Sequence, residues 1–114
     1  DILWESGQVI IVEGVFDRVA VKRAFPERCV MARLTKGLSP SILKLFERLA
    51  KKVWLCFDND VPGNKAGDKA EKRAKGCEVL RLTLPRKDPG QMYEKMGVEG
   101  VKRVLERQIN LMDF

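Results

Sequence analysis

The sequence has no histidine among its 114 residues. That excludes Ser-His-Asp and Cys-His catalysis, HExxH metal sites and histidine proton shuttles together. It has three cysteines, Cys29, Cys56 and Cys77, and no CxxC pair. An odd, scattered count fits neither a disulfide framework nor a structural zinc site, so no zinc is expected in this chain. Free thiols in or beside apolar runs are expected of a protein kept in a reducing cytoplasm. No apolar run approaches the ~18 residues of a membrane span, and no signal peptide is visible, so no membrane partner is expected.

What is present is a charged, soluble composition: 45% hydrophobic, 33% charged, 22 basic groups against 16 acidic. The length suits a single domain over residues 1–114, large enough to bury a core without staples. The opening Asp-Ile-Leu-Trp, without methionine, is expected of a domain excised from a larger protein. The net charge of +6 is spread along the chain, with no polybasic tail. A solvated basic surface and a polyanionic partner are both consistent with it.

Strand-like and helix-like segments alternate. Val9–Val12 is a β-branched run ending at Glu13-Gly14. Phe16–Phe25 carries Val19, Ala20, Val21 and Ala24 at helical spacing, closed by Pro26. Cys29–Ala32 is a second strand, Val53–Phe57 a third and Glu78–Leu84 a fourth. Between the second and third, Ser39-Pro40 opens a helix with Ile42, Leu45, Phe46 and Leu49 as its apolar stripe. Pro62–Lys75 is a polar helix with small contacts at Ala66, Ala70 and Ala74, stopped by Gly76. Gln91–Met96 and Val98–Ile109 are two helices joined at Gly97. Strands separated by single helices predict an α/β fold: about four mainly parallel strands with helices on both faces.

Such sheets place their chemistry beyond the carboxyl ends of the strands. Glu13 ends the first strand, and Asp17 follows four residues on. Asp58-Asn59-Asp60 ends the third, and Asp88 lies in the loop after the fourth. Five acids therefore fall on one predicted sheet edge, while the other 11 acids face 22 basic groups. Oxygen-only ligands of this kind select Mg²⁺ or Mn²⁺. Pro62 and Gly63 supply a turn that brings Asp58 and Asp60 towards a common ion. Two such ions can stabilise the attacking and leaving oxygens of phosphoryl transfer. Glu13 is the candidate to move a proton, and Asp58 and Asp60 complete the candidate catalytic set. Plainer readings stay open: Asp17 as a helix-start acid, Asp88 as a turn former, Asn59 as a turn residue. Crowding predicts that at least one carboxyl titrates above its ordinary range, and Asp60→Asn is expected to relieve it. Trp54 is expected in the core; Trp4 is read as packing or as a seat for a neighbouring domain.

Val-Ile-Ile-Val-Glu13-Gly14-Val-Phe-Asp17, followed by Leu-Cys-Phe-Asp58-Asn-Asp60-Val-Pro-Gly63, resembles the Toprim domain. Leu84-Pro-Arg-Lys-Asp88-Pro89 adds a third match. The pattern spans about residues 8–105 and is most similar to the DnaG-type primase and phage primase-helicase branch. The resemblance implies a compact Rossmann-like fold and a Mg²⁺ site lined by Glu13, Asp17, Asp58, Asp60 and Asp88. It implies nucleotidyl transfer for RNA primer synthesis. Its partners would be a DNA template, nucleotide triphosphates, the RNA primer and further primase or helicase domains. It also implies a cytoplasmic, nucleoid-associated setting. The family includes nucleases, and a non-catalytic nucleic-acid-binding module is a further alternative. Two positions depart from the primase pattern. Gly90 stands where an acid is usual. Ala32-Arg33-Leu34-Thr35-Lys36 replaces Ala-Ser-Leu-Gly-Thr, which points to a phage or mobile-element relative. Arg33, Lys36 and Lys65 are the candidate nucleotide or phosphate contacts.

Overall fold

The computed structural model describes residues 7–33, 48, 51–73 and 78–112. Four strands form one sheet: β1 (Gln8–Val12), β2 (Cys29–Ala32), β3 (Lys52–Cys56) and β4 (Glu78–Arg81). Their order is β2-β1-β3-β4, and every neighbouring pair is parallel. Three helices accompany them: α1 (Val15–Ala24), α2 (Val61–Arg73) and α3 (Pro89–Met112). This is the α/β arrangement that the alternation predicts. Among the described residues no helix is long and apolar enough to cross a membrane.

Period-two alternation sorts the strand side chains onto two faces. Ile10, Val12, Trp54 and Cys56 pack with Val21 and Ala24 of α1 and with Met92, Val101, Leu105 and Ile109 of α3. Val9, Ile11, Val53, Leu55 and Phe57 form the opposite cluster, with Ala66 of α2 against it. Both faces of β1 and β3 are buried, which explains why these strands read as unbroken apolar runs. Trp54 is fully buried, as expected, and its indole N–H donates to Gln8 Oε1 at 3.0 Å. Cys56 is buried and its thiol is pushed well above its ordinary pKa by desolvation. Cys29 is half-buried.

Several sequence boundaries shift. Val19 belongs to the expected stripe of the first helix but is 41% exposed, because only Ala20, Val21 and Ala24 face the sheet and α3. The fourth strand stops at Arg81 rather than Leu84. Leu82 N–H still donates to Leu55 O at 2.8 Å, but β3 ends at Cys56 and the ladder has no partner beyond it. Leu82 and Leu84 are nevertheless buried, which is why their alternation reads as strand. Gly97 joins two helical segments of α3 at φ +70, as predicted. Apart from Arg48, which is helical, the Ser39–Leu49 helix lies outside the described residues, as do Trp4, Lys36, Cys77, Ala74 and the Gly76 stop. Arg81 fastens α2 beside β4. Its Nη1 reaches Asp68 Oδ1 at 2.6 Å and its Nη2 donates to Asn64 O at 3.1 Å.

Candidate metal and phosphate site at the carboxyl edge of the sheet

β1, β3 and β4 are adjacent and parallel, so the chain leaves all three at the same edge. Glu13 follows β1 directly and is half-buried. Its Oε1 accepts from the Asp58 backbone N–H at 3.3 Å, which ties the two strand ends together. The same oxygen lies 3.3 Å from Arg33 Nη2, at the end of β2. Asp58 Oδ1 is buried and has no hydrogen-bond partner among the described residues.

Three of the acids also serve the backbone. Asp60 precedes α2, and its Oδ1 accepts from Gly63 N–H at 2.8 Å. That is the geometry of an N-cap side chain. Asp88 does the same for α3: its Oδ1 accepts from Gln91 N–H at 2.7 Å. The turn-former reading of Asp88 therefore holds alongside its place on the edge. Asp17, in the first turn of α1, accepts from the Gly14 N–H at the start of its own helix and also reaches α3. Its Oδ1 accepts from Gly90 N–H at 3.0 Å, linking the start of α1 to the start of α3. A Cβ at Gly90 would stand 3.2 Å from Asp17 Oδ1 and 3.4 Å from Asp88 Oδ1. A side chain at this position would thus crowd those two carboxylates; here only the Gly90 N–H meets Asp17. Asn59 fastens the loops: its N–H donates to Lys87 O at 2.6 Å and its Nδ2 to Leu84 O at 3.2 Å.

The electrostatics mark Asp58 as the strained centre. Desolvation raises its carboxyl from the ordinary 3.8 to about 7, assisted by repulsion from Glu13, Asp17 and Asp88. Asp17 is also raised, first by desolvation, with the Gly90 N–H opposing and Asp88 and Glu13 adding repulsion. The crowding is therefore as expected, and Asp58 and Asp17 carry it. Among the described residues no group of three or more acids or thiols is placed to hold a metal ion. Asp60 and Asp88 each turn an oxygen to a helix start, and Glu13 turns one to Arg33.

Of the candidate phosphate contacts, Arg33 lies on the edge beside Glu13, and Lys65 is exposed on the second turn of α2. Phe57 is a site residue that the sequence did not single out: its ring lies 4.7 Å from the Arg33 guanidinium carbon. A cleft of about 690 Å³ opens from Asp17 and Asp88 between α1 and α3, with Phe16 and Tyr93 in its walls.

The double duty of Asp60 gives a direct expectation. Asparagine caps a helix about as well as aspartate, whereas alanine does not. Asp60→Ala should therefore lose about 1 kcal/mol in urea unfolding and Asp60→Asn almost none. Equal losses from both would show that the cap contributes nothing.

A parallel α/β sheet with carboxylates gathered at its carboxyl edge defines the class of domain. The sequence profile of the Toprim-like family matches residues 10–93, and the chain belongs to that family. It is 32% identical to the DNA primase of Aquifex aeolicus over 114 residues, which is 96% of this chain and 22% of that protein. It is 29% identical to the DNA primase of Clostridium acetobutylicum over 109 residues, 93% of this chain and 18% of that one. The chain thus spans about a fifth of the length of these relatives. The crystal structure of the Aquifex aeolicus primase zinc-binding and RNA polymerase domains superposes with a TM-score of 0.77 at 30% identity. That match covers 92% of this chain and 27% of the other. A small TOPRIM domain protein from Bacillus stearothermophilus shares the fold, with a TM-score of 0.61 at 22% identity, covering 89% of this chain and 84% of that one.

Proposed function

We propose that this chain is the Mg²⁺-binding catalytic domain of a DNA primase, acting in RNA primer synthesis together with further primase or helicase domains. The observation that carries this reading is Asp58 Oδ1, a buried acceptor with no donor among the described residues and with Glu13, Asp17 and Asp88 close enough to repel it. A buried carboxylate oxygen with no partner and acidic neighbours is costly unless a cation completes it. The ligands on offer are all hard oxygens, which suits Mg²⁺ or Mn²⁺. Glu13 and Asp58 would hold the ion, with Asp17, Asp60 and Asp88 around it. Bound there, the ion would neutralise the phosphates that the carboxylates alone repel.

The chain's own residues then have separate tasks. Glu13 and Asp58 present oxygens from two neighbouring strands. Asp60 and Asp88 use one oxygen each to fix the starts of α2 and α3, which keeps the edge in register. Arg33 and Lys65 would contact phosphate oxygens. The cleft beside Asp17 and Asp88 falls within the usual volume of a small-ligand site, about 300–1,000 Å³, and suits a nucleotide. DNA template, nucleotide triphosphates and the RNA primer are the partners this reading assigns, in a cytoplasmic, nucleoid-associated setting. The motifs favour a phage or mobile-element primase-helicase as the parent.

Titration calorimetry at neutral pH tests the metal reading. Mg²⁺ and Mn²⁺ should bind, and Zn²⁺ should show no tight stoichiometric site. A sub-micromolar Zn²⁺ site, or silence towards all three ions, would overturn it.

A further inference from the structure

Arg33 N–H donates to Val12 O at 2.8 Å, one rung beyond the last β1–β2 pair, Val12 with Ala32. That rung sets Arg33 beside Glu13. The Arg33 side chain is only 11% exposed, and Phe57 lies against its guanidinium. Nη2 is 3.3 Å from Glu13 Oε1, while Nη1 is buried and has no acceptor among the described residues. Asp58 donates its N–H to the same Oε1, and its own Oδ1 is buried without a donor among the described residues. A buried cationic donor and a buried anionic acceptor, both unsatisfied, therefore adjoin one carboxylate oxygen.

Unsatisfied buried groups of this kind are costly, and charged ones most of all. A ligand carrying an anionic oxygen and a divalent cation together completes both. The guanidinium is always charged, and its fork matches a phosphate. We infer that Arg33 is a shared counter-ion, pairing with Glu13 until a phosphate oxygen takes the guanidinium and frees Glu13 for the cation. This rests on the reading of the edge as a Mg²⁺ site. Arg33 and the cation compete for Glu13, and phosphate relieves that competition. Cation and phosphate therefore raise each other's affinity, and by linkage they do so equally.

The test uses the whole chain and measures binding rather than activity. Mn²⁺ binding without phosphate is followed by electron paramagnetic resonance. Arg33→Gln should bind Mn²⁺ roughly tenfold tighter than the wild type, within the usual range of site-site coupling. Arg107→Gln, which removes an exposed charge on α3, should match the wild type. In the reciprocal arm, chelator removes divalent ions and inorganic pyrophosphate is the probe. Glu13→Gln should bind pyrophosphate several-fold tighter than the wild type, because Arg33 is released. A short oligothymidylate in a parallel titration separates the source: a gain for pyrophosphate alone assigns a nucleotide, and a gain for both extends the contact to the phosphodiester chain.

A mere packing role for Arg33 would leave Mn²⁺ binding unchanged or weaker in Arg33→Gln, and that result overturns the inference while leaving the metal reading intact. So does pyrophosphate binding that Glu13→Gln does not improve. Should Arg33→Gln fail to fold through loss of its Phe57 packing, the Glu13→Gln arm decides alone. A wild type that binds no Mn²⁺ at millimolar concentration overturns the metal reading and this inference together.

Discussion

Exchanging Asp58 for asparagine is expected to raise the melting temperature of the chelated protein by about 4 °C and to remove most of its response to Mg²⁺. Asp58 is held above its ordinary range first by desolvation and then by Glu13, Asp17 and Asp88. The exchange keeps the shape, removes the buried charge and offers Glu13 an amide donor. Relief of that repulsion should be worth about 1 kcal/mol. The sign of the pH dependence follows from the raised carboxyl. Its folded value of about 7 exceeds the 3.8 of the unfolded chain, so the native state binds this proton more tightly. The penalty is complete above about 7 and is relieved as the pH falls from there towards 3.8. The variant's advantage should therefore be largest near pH 8 and should shrink towards pH 5. Mg²⁺ acts the other way on the wild type: at ten times its dissociation constant, mass action adds roughly 1.4 kcal/mol. Thermal melts of both proteins in chelator and in a Mg²⁺ series decide the matter. A lower melting temperature for Asp58→Asn in chelator, with the Mg²⁺ response intact, would make Asp58 a structural acid.

The carboxyl edge was legible because it needs only strand ends, and β-branched runs stopped by acids locate those ends well. Glu13 and Asp58 lie where that reasoning puts them. The division of labour among the acids was not legible. Asp58 and Asp60 are two residues apart and look equivalent in the sequence. Only the fold decides that Asp60 turns an oxygen to Gly63 while Asp58 is buried against Glu13. Asp17, read as a candidate metal ligand or a helix-start acid, does sit in the first turn of α1, but it also accepts from Gly90, 73 residues away. No local pattern carries such a contact. The Arg33–Glu13 pair depends on β2 lying beside β1, which the alternation of elements left open. The overlong fourth strand came from Leu80, Leu82 and Leu84, whose alternation signals burial and not pairing. The Toprim-like motifs supplied what periodicity could not: the expectation that acids far apart in sequence share a site.

Gly63→Ala is expected to destabilise the protein by about 2 kcal/mol, in the range of forced overpacking. In an exposed helix interior the same exchange would stabilise by about 1 kcal/mol, since alanine is the better helix former. Here the sign reverses because a Cβ at Gly63 would collide with the Asp58 carbonyl oxygen. It would also stand 3.1 Å from Asp60 Oδ1. Both neighbours are constrained: Asp58 donates its N–H to Glu13, and Asp60 caps α2 through Gly63 itself. The start of α2 must therefore move away from the end of β3, carrying the two acids apart. Gly67→Ala is the control on the same helix. Its Cβ would meet the Arg81 guanidinium, 2.6 Å away at Nη2, which is the far end of a flexible side chain that can swing aside. That variant should lose at most the exposed Arg81 contacts with Asp68, Glu71 and Asn64, about 0–1 kcal/mol, and gain helix propensity in return. Urea unfolding should rank wild type and Gly67→Ala together, with Gly63→Ala well below. The Mg²⁺-dependent rise in melting temperature should survive in Gly67→Ala and vanish in Gly63→Ala. A Gly63→Ala protein that keeps both its stability and its Mg²⁺ response would mean that the close approach of α2 to Asp58 has no part in building the site.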